Sequence, residues 1–203
     1  MLVKRIAVTL TIMMLSPAMA AAKDNAVTVY GGFRDGGSFT DAVSGESLSL
    51  DGSGAASVAL DFGIDASRQI QFFVSHQRTD LSLDSAPSTT GMVLPMSITY
   101  LHFGGTNYFS GAIGKGPYVV GGLGATYFDP DQGFSSELRP SINLGIGYEV
   151  PIGKTFSLRL EARGYASLFN SSGGLFCSGG CIISIQGDLL TQGEVMLGLS
   201  TRF

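Results

Sequence analysis

The chain has 203 residues, enough for one domain, and its 16 acidic against 12 basic residues argue against nucleic acid as a partner. Glycine, at 29 residues, is about twice its usual share, yet apolar residues make up 44% of the chain, too many for a disordered one. Beyond the first residues no apolar run is long enough for a transmembrane helix, so any membrane role falls to strands that close into a barrel.

Lys4 and Arg5 precede an apolar run from Ile6 to Leu15, and Ser16-Pro17-Ala18-Met19-Ala20 ends it with a small-x-small pattern. This reads as a secretory signal peptide over residues 1–20, cut after Ala20 or alternatively Ala22. Residues 21–203 are then expected to form a single exported domain. The run is too short to cross a bilayer as a helix, and no cysteine follows it to receive a lipid. Without Lys4 and Arg5, 10 basic residues face 16 acidic ones, a net charge near −6.

Period-two alternation then recurs along the chain. From Ala26 to Arg34, Val27, Val29, Gly31 and Phe33 face one way and Thr28, Tyr30, Gly32 and Arg34 the other. After a polar stretch to about Gly54, Val58, Leu60, Phe62 and Ile64 oppose Ser57, Ala59, Asp61 and Gly63. Past the short turn Asp65-Ala66-Ser67-Arg68, Ile70, Phe72 and Val74 oppose Gln69, Gln71, Phe73, Ser75 and Gln77. The fourth segment alternates least: Met96, Ile98 and Tyr100 are set outward, Ser97, Thr99, Leu101 and Phe103 inward, and the two faces are interchangeable. Gly104 to Gly116 reads as a connection. The fifth strand, Pro117 to Phe128, turns Val119, Leu123 and Tyr127 outward.

The sixth is the cleanest, with Ile142, Leu144, Ile146, Tyr148 and Val150 against Ser141, Asn143, Gly145, Gly147 and Glu149. A tight turn at Pro151 to Thr155 leads to the seventh. There Phe156, Leu158, Leu160, Ala162 and Leu168 oppose Ser157, Arg159, Glu161, Arg163, Tyr165 and Ser167. The last strand, Leu189 to Phe203, sets Val195, Leu197, Leu199 and Phe203 against Gln192, Glu194, Ser200 and Arg202.

The fold class is therefore all-β, an eight-stranded antiparallel up-and-down transmembrane barrel. The first, third, fifth and seventh connections are long or acidic, the second and sixth tight and the fourth intermediate, the asymmetry of a barrel with both chain ends in the periplasm. Each strand supplies the roughly 9–11 residues a tilted membrane strand needs. Phe62, Phe72, Tyr100, Tyr148, Phe156 and Phe203 are expected to form an interfacial girdle near the periplasmic ends, with Phe33 and Tyr127 at the other.

Pro117-Tyr118-Val119-Val120-Gly121-Gly122-Leu123-Gly124 resembles a Pro-Tyr-Val-x-x-Gly-x-Gly strand common in the small outer-membrane barrels of Gram-negative bacteria. Arg139-Pro140-Ser141 through Arg163 also resembles that group, which includes OmpW-like proteins and OmpA-like transmembrane domains. Terminal Phe203 resembles the signal by which such barrels are recognised for assembly. The resemblance implies an outer-membrane location, contact with outer-membrane lipids and lipopolysaccharide, and passage through the barrel-assembly machinery, as a monomer. It implies a structural or surface-interaction role, or alternatively a narrow channel for small or apolar solutes.

A lipid-modifying enzyme is a third reading, with His76 beside Ser75 and His102 as candidates. On a strand Ser75 and His76 point to opposite faces and cannot share a proton. The His-x-Ser-Asn pattern of the lipid A deacylases is missing around both histidines, so no catalytic residue is assigned. Asp129 and Asp131 alone do not make a calcium site, and no metal or cofactor is implied.

The polar faces gather Arg34, Asp61, Glu149, Arg159, Glu161, Arg163, Glu194 and Arg202, four acids with four bases. They are expected to form a salt-bridged plug centred on Glu161, with inward glycines such as Gly122, Gly145, Gly147 and Gly198 making room for long arginines. Cys177 and Cys181, four positions apart around Ser178-Gly179-Gly180, are expected to pair in an oxidising compartment. So short a ring is worth about 2 kcal/mol by chain entropy. The expected outcome is one intramolecular disulfide by mass spectrometry of native protein; two alkylatable thiols would refute it.

Overall fold

Residues that alternate between apolar and polar can satisfy both a lipid-facing and an inward-facing surface only as strands, and eight long strands carry that pattern. The computed structural model describes residues 24–40, 47–83, 93–131, 135–169, 174–175, 183–184 and 189–203. The strands are β1 (Ala26–Asp35), β2 (Ser53–Gly63), β3 (Arg68–Leu83), β4 (Val93–Tyr108), β5 (Gly116–Pro130), β6 (Glu137–Pro151), β7 (Phe156–Leu168) and β8 (Leu189–Arg202). Each pairs antiparallel with its neighbours in sequence, and β8 returns to β1 with Ala26 opposite Arg202 and Asp35 opposite Gly193. The ring is thereby closed. Closure pairs the backbone groups that an open edge would leave bare in hydrocarbon.

Short segments extend one end of the ring. Ser38–Thr40 pairs with Ser47–Leu50, which continues the ladder onto β3 with Leu50 opposite Leu81. Gly174–Leu175 and Ile183–Ser184 form a separate two-stranded ribbon. The opposite end carries the short turns, with Ala26 of β1 and Arg202 of β8 beside each other. There the Asp65 carboxylate accepts the backbone N–H groups of Ser67 and Arg68, both at 2.9 Å, and the Arg68 Nε at 2.6 Å. The Arg68 hydrogen bond first, and then the Ser67 N–H, lower the pKa of Asp65 to about 2. The turn from Tyr108 to Gly116 needs glycine at Gly111, Gly114 and Gly116, whose φ values are 73°, 80° and 86°. It folds Ile113 over the mouth, with the Ile113 N–H on the Ala66 carbonyl at 2.9 Å. Arg202 Nη2 donates to the Gly114 carbonyl at 2.9 Å.

Outward, Val29, Phe33, Leu123, Leu144, Ile146, Leu160, Val195 and Leu197 are all exposed, part of an apolar band around the ring. A band so continuous would be an aggregation surface in water; on a closed barrel it is the surface a bilayer covers. The rings of Phe62, Phe72 and Phe103 touch in series on this face, with centroids 6.1 and 4.9 Å apart.

Two sequence expectations about β4 are corrected. Met96, Ile98 and Tyr100 point inward, Tyr100 being 0% exposed, while Leu101 and Phe103 are lipid-facing at 48% and 53%. With apolar residues on both faces, facing is decided by partners: Tyr100 donates to Gln192 Oε1 at 2.8 Å and stacks 4.2 Å from Tyr165. Phe103 therefore takes the girdle place assigned to Tyr100. The second correction is that Gly104 to Tyr108 is strand and not connection. Gly104 and Gly105 lie opposite Gly122 and Gly121, and the ladder continues to Tyr108 opposite Tyr118. The expected signal peptide, residues 1–20, and the expected Cys177–Cys181 pairing lie outside the described residues.

A closed barrel of this kind is expected to resist SDS until heated and to migrate differently before and after boiling. No such shift on an electrophoretic gel, together with a helical circular dichroism spectrum, would overturn the fold.

Candidate functional site in the barrel lumen

Inward positions of an eight-stranded ring project into a space just wide enough for side chains to fill. Seven of the eight charged residues singled out above are buried there, and Arg202 is half-buried at the short-turn mouth. The structure sorts them into three layers along the barrel.

The layer nearest the short turns is built on Arg159. Its Nη1 donates to Asp61 Oδ2 at 2.7 Å, its Nε to Glu149 Oε2 at 2.8 Å and its Nη2 to the Tyr108 hydroxyl at 2.7 Å. Glu149 lies directly opposite Arg159 across the β6–β7 ladder. Glu149 also accepts Tyr108 at 2.5 Å, Arg202 Nη2 at 2.9 Å and the Ser157 hydroxyl. Gln71 Nε2 donates to the second Asp61 oxygen at 2.8 Å. One arginine thus spans the lumen from β7 to both β2 and β6.

The middle layer pairs Arg163 with Glu161, two residues apart on β7, through Nε at 2.7 Å. The other Glu161 oxygen accepts the Tyr118 hydroxyl at 2.7 Å and the Tyr30 hydroxyl at 3.3 Å. Arg163 Nη2 reaches Gln71 Oε1 at 3.0 Å, and its guanidinium lies 3.7 Å from the Phe73 ring centre. The third layer joins Arg34 of β1 to Glu194 of β8, directly opposite, through Nε at 3.1 Å and Nη2 at 2.9 Å. Tyr165 donates to Glu194 at 2.7 Å, Ser57 and Ser75 bond each other at 2.7 Å, and Ser75 also receives Arg34 Nη2. Arg34 lies over the rings of Tyr100 and Tyr165, at 4.8 and 5.0 Å.

The centre therefore differs from the expected one. Glu161 has one arginine partner among the described residues, Arg163, whereas Arg159 joins two carboxylates on two strands. The glycines also serve a different group. A Cβ on Gly147 would run into the Tyr118 ring, and one on Gly198 into the Tyr30 ring. The space belongs to tyrosines whose hydroxyls then reach Glu161. Sequence reasoning missed Tyr30, Tyr108, Tyr118 and Tyr165 as members of the site; inward parity was the available signal for Tyr30, Tyr118 and Tyr165, whereas Tyr108 fell in the stretch read as a connection.

Toward the long connections the lumen changes character. Ile98, Phe128 and Leu190 are buried there with Met96, Leu81, Leu50 and Phe169 in one apolar cluster. His102, also inward, bonds Ser141 Oγ at 3.0 Å and stacks beside Tyr165. His76 lies on the outer face against Thr99 Oγ1 at 2.9 Å, away from buried Ser75. Phe203 is exposed at the short-turn rim, its N–H on the Asn25 carbonyl at 3.0 Å.

No protein-family model matches the chain, and no curated protein matches it. Among solved structures it is similar to the outer-membrane protein AlkL, determined in DMPC lipid bilayers, with a TM-score of 0.58 and 15% identity over 92% of this chain and 94% of that one. It is also similar to the outer-membrane protein OprG of Pseudomonas aeruginosa, with a TM-score of 0.52 and 13% identity over 90% and 98%. At these identities the likeness is one of fold, that of the small outer-membrane barrels.

Replacing Arg159 by alanine would leave buried Asp61 without a cationic partner among the described residues and Glu149 with Arg202 alone. The expected loss is about 3–5 kcal/mol of unfolding free energy, read from urea titration in lipid. A loss below about 1 kcal/mol, the value of an exposed pair, would show the groups to be hydrated and independent.

Proposed function

We propose that this chain, with its outer-membrane barrel fold, is an integral outer-membrane protein of structural or surface-interaction role whose lumen is closed by its own charged side chains. The observation that carries the reading is the Arg159 guanidinium held at once on Asp61 and Glu149, at 2.7 and 2.8 Å. Paired charges of this kind block an ion path as well as neutralising it, since no sign is left in excess to attract a permeant ion. The apolar cluster around Ile98, Phe128 and Leu190 supports closure at the other end. In this reading the short turns face the periplasm and the long connections face outward. Its partners are the surrounding lipids, lipopolysaccharide and, during biogenesis, the assembly machinery that reads Phe203.

A non-catalytic role is supported by the histidines. Ser75 and His76 occupy opposite faces of β3, and His102, though paired with Ser141, has no partner on Nδ1 among the described residues. A serine nucleophile needs a base that a third group orients.

Planar-bilayer recording tests the closed lumen. Wild type is expected to give small or no steady currents, and Arg159→Ala, which removes the guanidinium shared by Asp61 and Glu149, is expected to raise them. Large steady wild-type currents left unchanged by the substitution would replace the plug with a narrow channel.

A further inference from the structure

Two adjacent outward positions in the apolar band carry no side chain. Gly105 of β4 and Gly121 of β5 lie directly opposite each other. Ile70 and Leu144 flank them in the same row on β3 and β6. The rows above and below hold Phe103 with Leu123 and Asn107 with Val119. The result is a notch of about 370 Å³ in the lipid-facing wall, lined by Ile64, Gly105, Val119, Gly121 and Leu144, with Arg68 at its short-turn rim.

The backbone does not require the emptiness at Gly121. A Cβ there would meet the Asn143 carbonyl at 3.4 Å and the Leu144 side chain at 3.5 Å, ordinary van der Waals separations. At Gly105 the constraint is real, because a Cβ would come within 2.9 Å of the Gln69 carbonyl. A side chain at Gly121 would thus fit and would fill the notch.

We propose that the notch seats one acyl chain of a zwitterionic phospholipid, phosphatidylethanolamine, with its phosphate on Arg68 and its ammonium on Asp65. The proposal rests on the membrane-spanning reading above. The charge pattern at the rim selects the headgroup. Arg68 uses Nε and Nη2 on Asp65, at 2.6 Å each, and a guanidinium has five donors, so some remain for a phosphate. The Asp65 carboxylate, whose oxygens are already engaged by Ser67 and Arg68, repels a purely anionic headgroup and attracts an ammonium by its charge. Both side chains are solvent-accessible, 63% and 37%, in a turn beyond the end of the band. An acyl chain extending from them along β4 and β5 would lie against backbone at Gly105 and Gly121, where surrounding leucines and phenylalanines hold other lipids farther out.

Native mass spectrometry of folded protein, given equal phosphatidylethanolamine and phosphatidylglycerol, reads the site. Wild type is expected to retain one phosphatidylethanolamine in preference to phosphatidylglycerol. Gly121→Leu is expected to lose that adduct at least about tenfold, and Gly121→Ala to a smaller degree. Gly193→Leu places the same bulk elsewhere on the outer face, where nothing lies within 4 Å, and is expected to retain the lipid. Asp65→Asn should move the preference toward phosphatidylglycerol. Equal retention by wild type and both Gly121 variants, or no headgroup preference in wild type, would overturn the site. Each sample is checked first for the heat-dependent gel shift. Its absence from wild type would instead overturn the membrane-barrel reading.

Discussion

A charge turned into the interior of an eight-stranded ring has almost no room for water, so it must be neutralised by another side chain across a few ångströms. This requirement organises the lumen. Arg159, Arg163 and Arg34 are met by Asp61 with Glu149, by Glu161 and by Glu194, and the remaining carboxylate lone pairs go to tyrosine and serine hydroxyls, to the Gln71 amide on Asp61 and to Arg202 on Glu149. The glycines at Gly147 and Gly198 follow from it too. Rings must lie flat against the wall if their hydroxyls are to reach a carboxylate near the axis, and a wall position with a Cβ would hold them off. Composition and geometry are thus linked: part of the glycine content is the space needed by buried tyrosines.

The same constraint explains why the interior divides along its length. Polar and charged layers occupy the half nearer the short turns, while Met96, Ile98, Phe128 and Leu190 fill the half nearer the long connections. β3 and β4, 16 residues each, are longer than a tilted membrane strand of about 9–11 residues requires. Where they pass beyond the apolar band, the outer face becomes polar, with Arg78, Asp80, Ser97 and Thr99. There the barrel inverts its pattern and packs an apolar interior, as a barrel surrounded by water does. The apolar inward run of β4 belongs to that extension.

This is also where sequence reasoning lost its footing. In β6, β7 and β8 alternation is strict, and both facing and inward charges were legible residue by residue. In β4 each face carries apolar residues because one strand serves two environments, lipid outside its lower half and a dry core inside its upper half. Period-two reading assumes one environment along a strand, so it could not decide between Tyr100 and Phe103. The glycine pair at Gly104 and Gly105 misled for a related reason. Such a pair ordinarily marks a turn, but opposite Gly121 and Gly122 it forms a patch of wall free of side chains on both surfaces. At the site, the charged residues were visible as an inventory, but their partition was not. Which arginine spans the lumen depends on the register of strands distant in sequence, which brings Asp61 of β2 within reach of Arg159 on β7.

The three charged layers are not equally complete. Every nitrogen of Arg159 has a protein acceptor, whereas Nη1 of Arg163 and of Arg34 has none among the described residues, nor do the amide atoms of Asn143. Buried polar groups that lack a protein partner are ordinarily satisfied by water. The middle and third layers therefore retain capacity for hydration, and the Arg159 layer does not. Its position next to the turn over the mouth strengthens the distinction, because Arg202 ties Glu149 to the Gly114 carbonyl and draws the turn across the opening. On the closed-lumen reading proposed above, the seal against ions would reside at the short-turn end, in a layer saturated by its own side chains, with the apolar cluster at the far end.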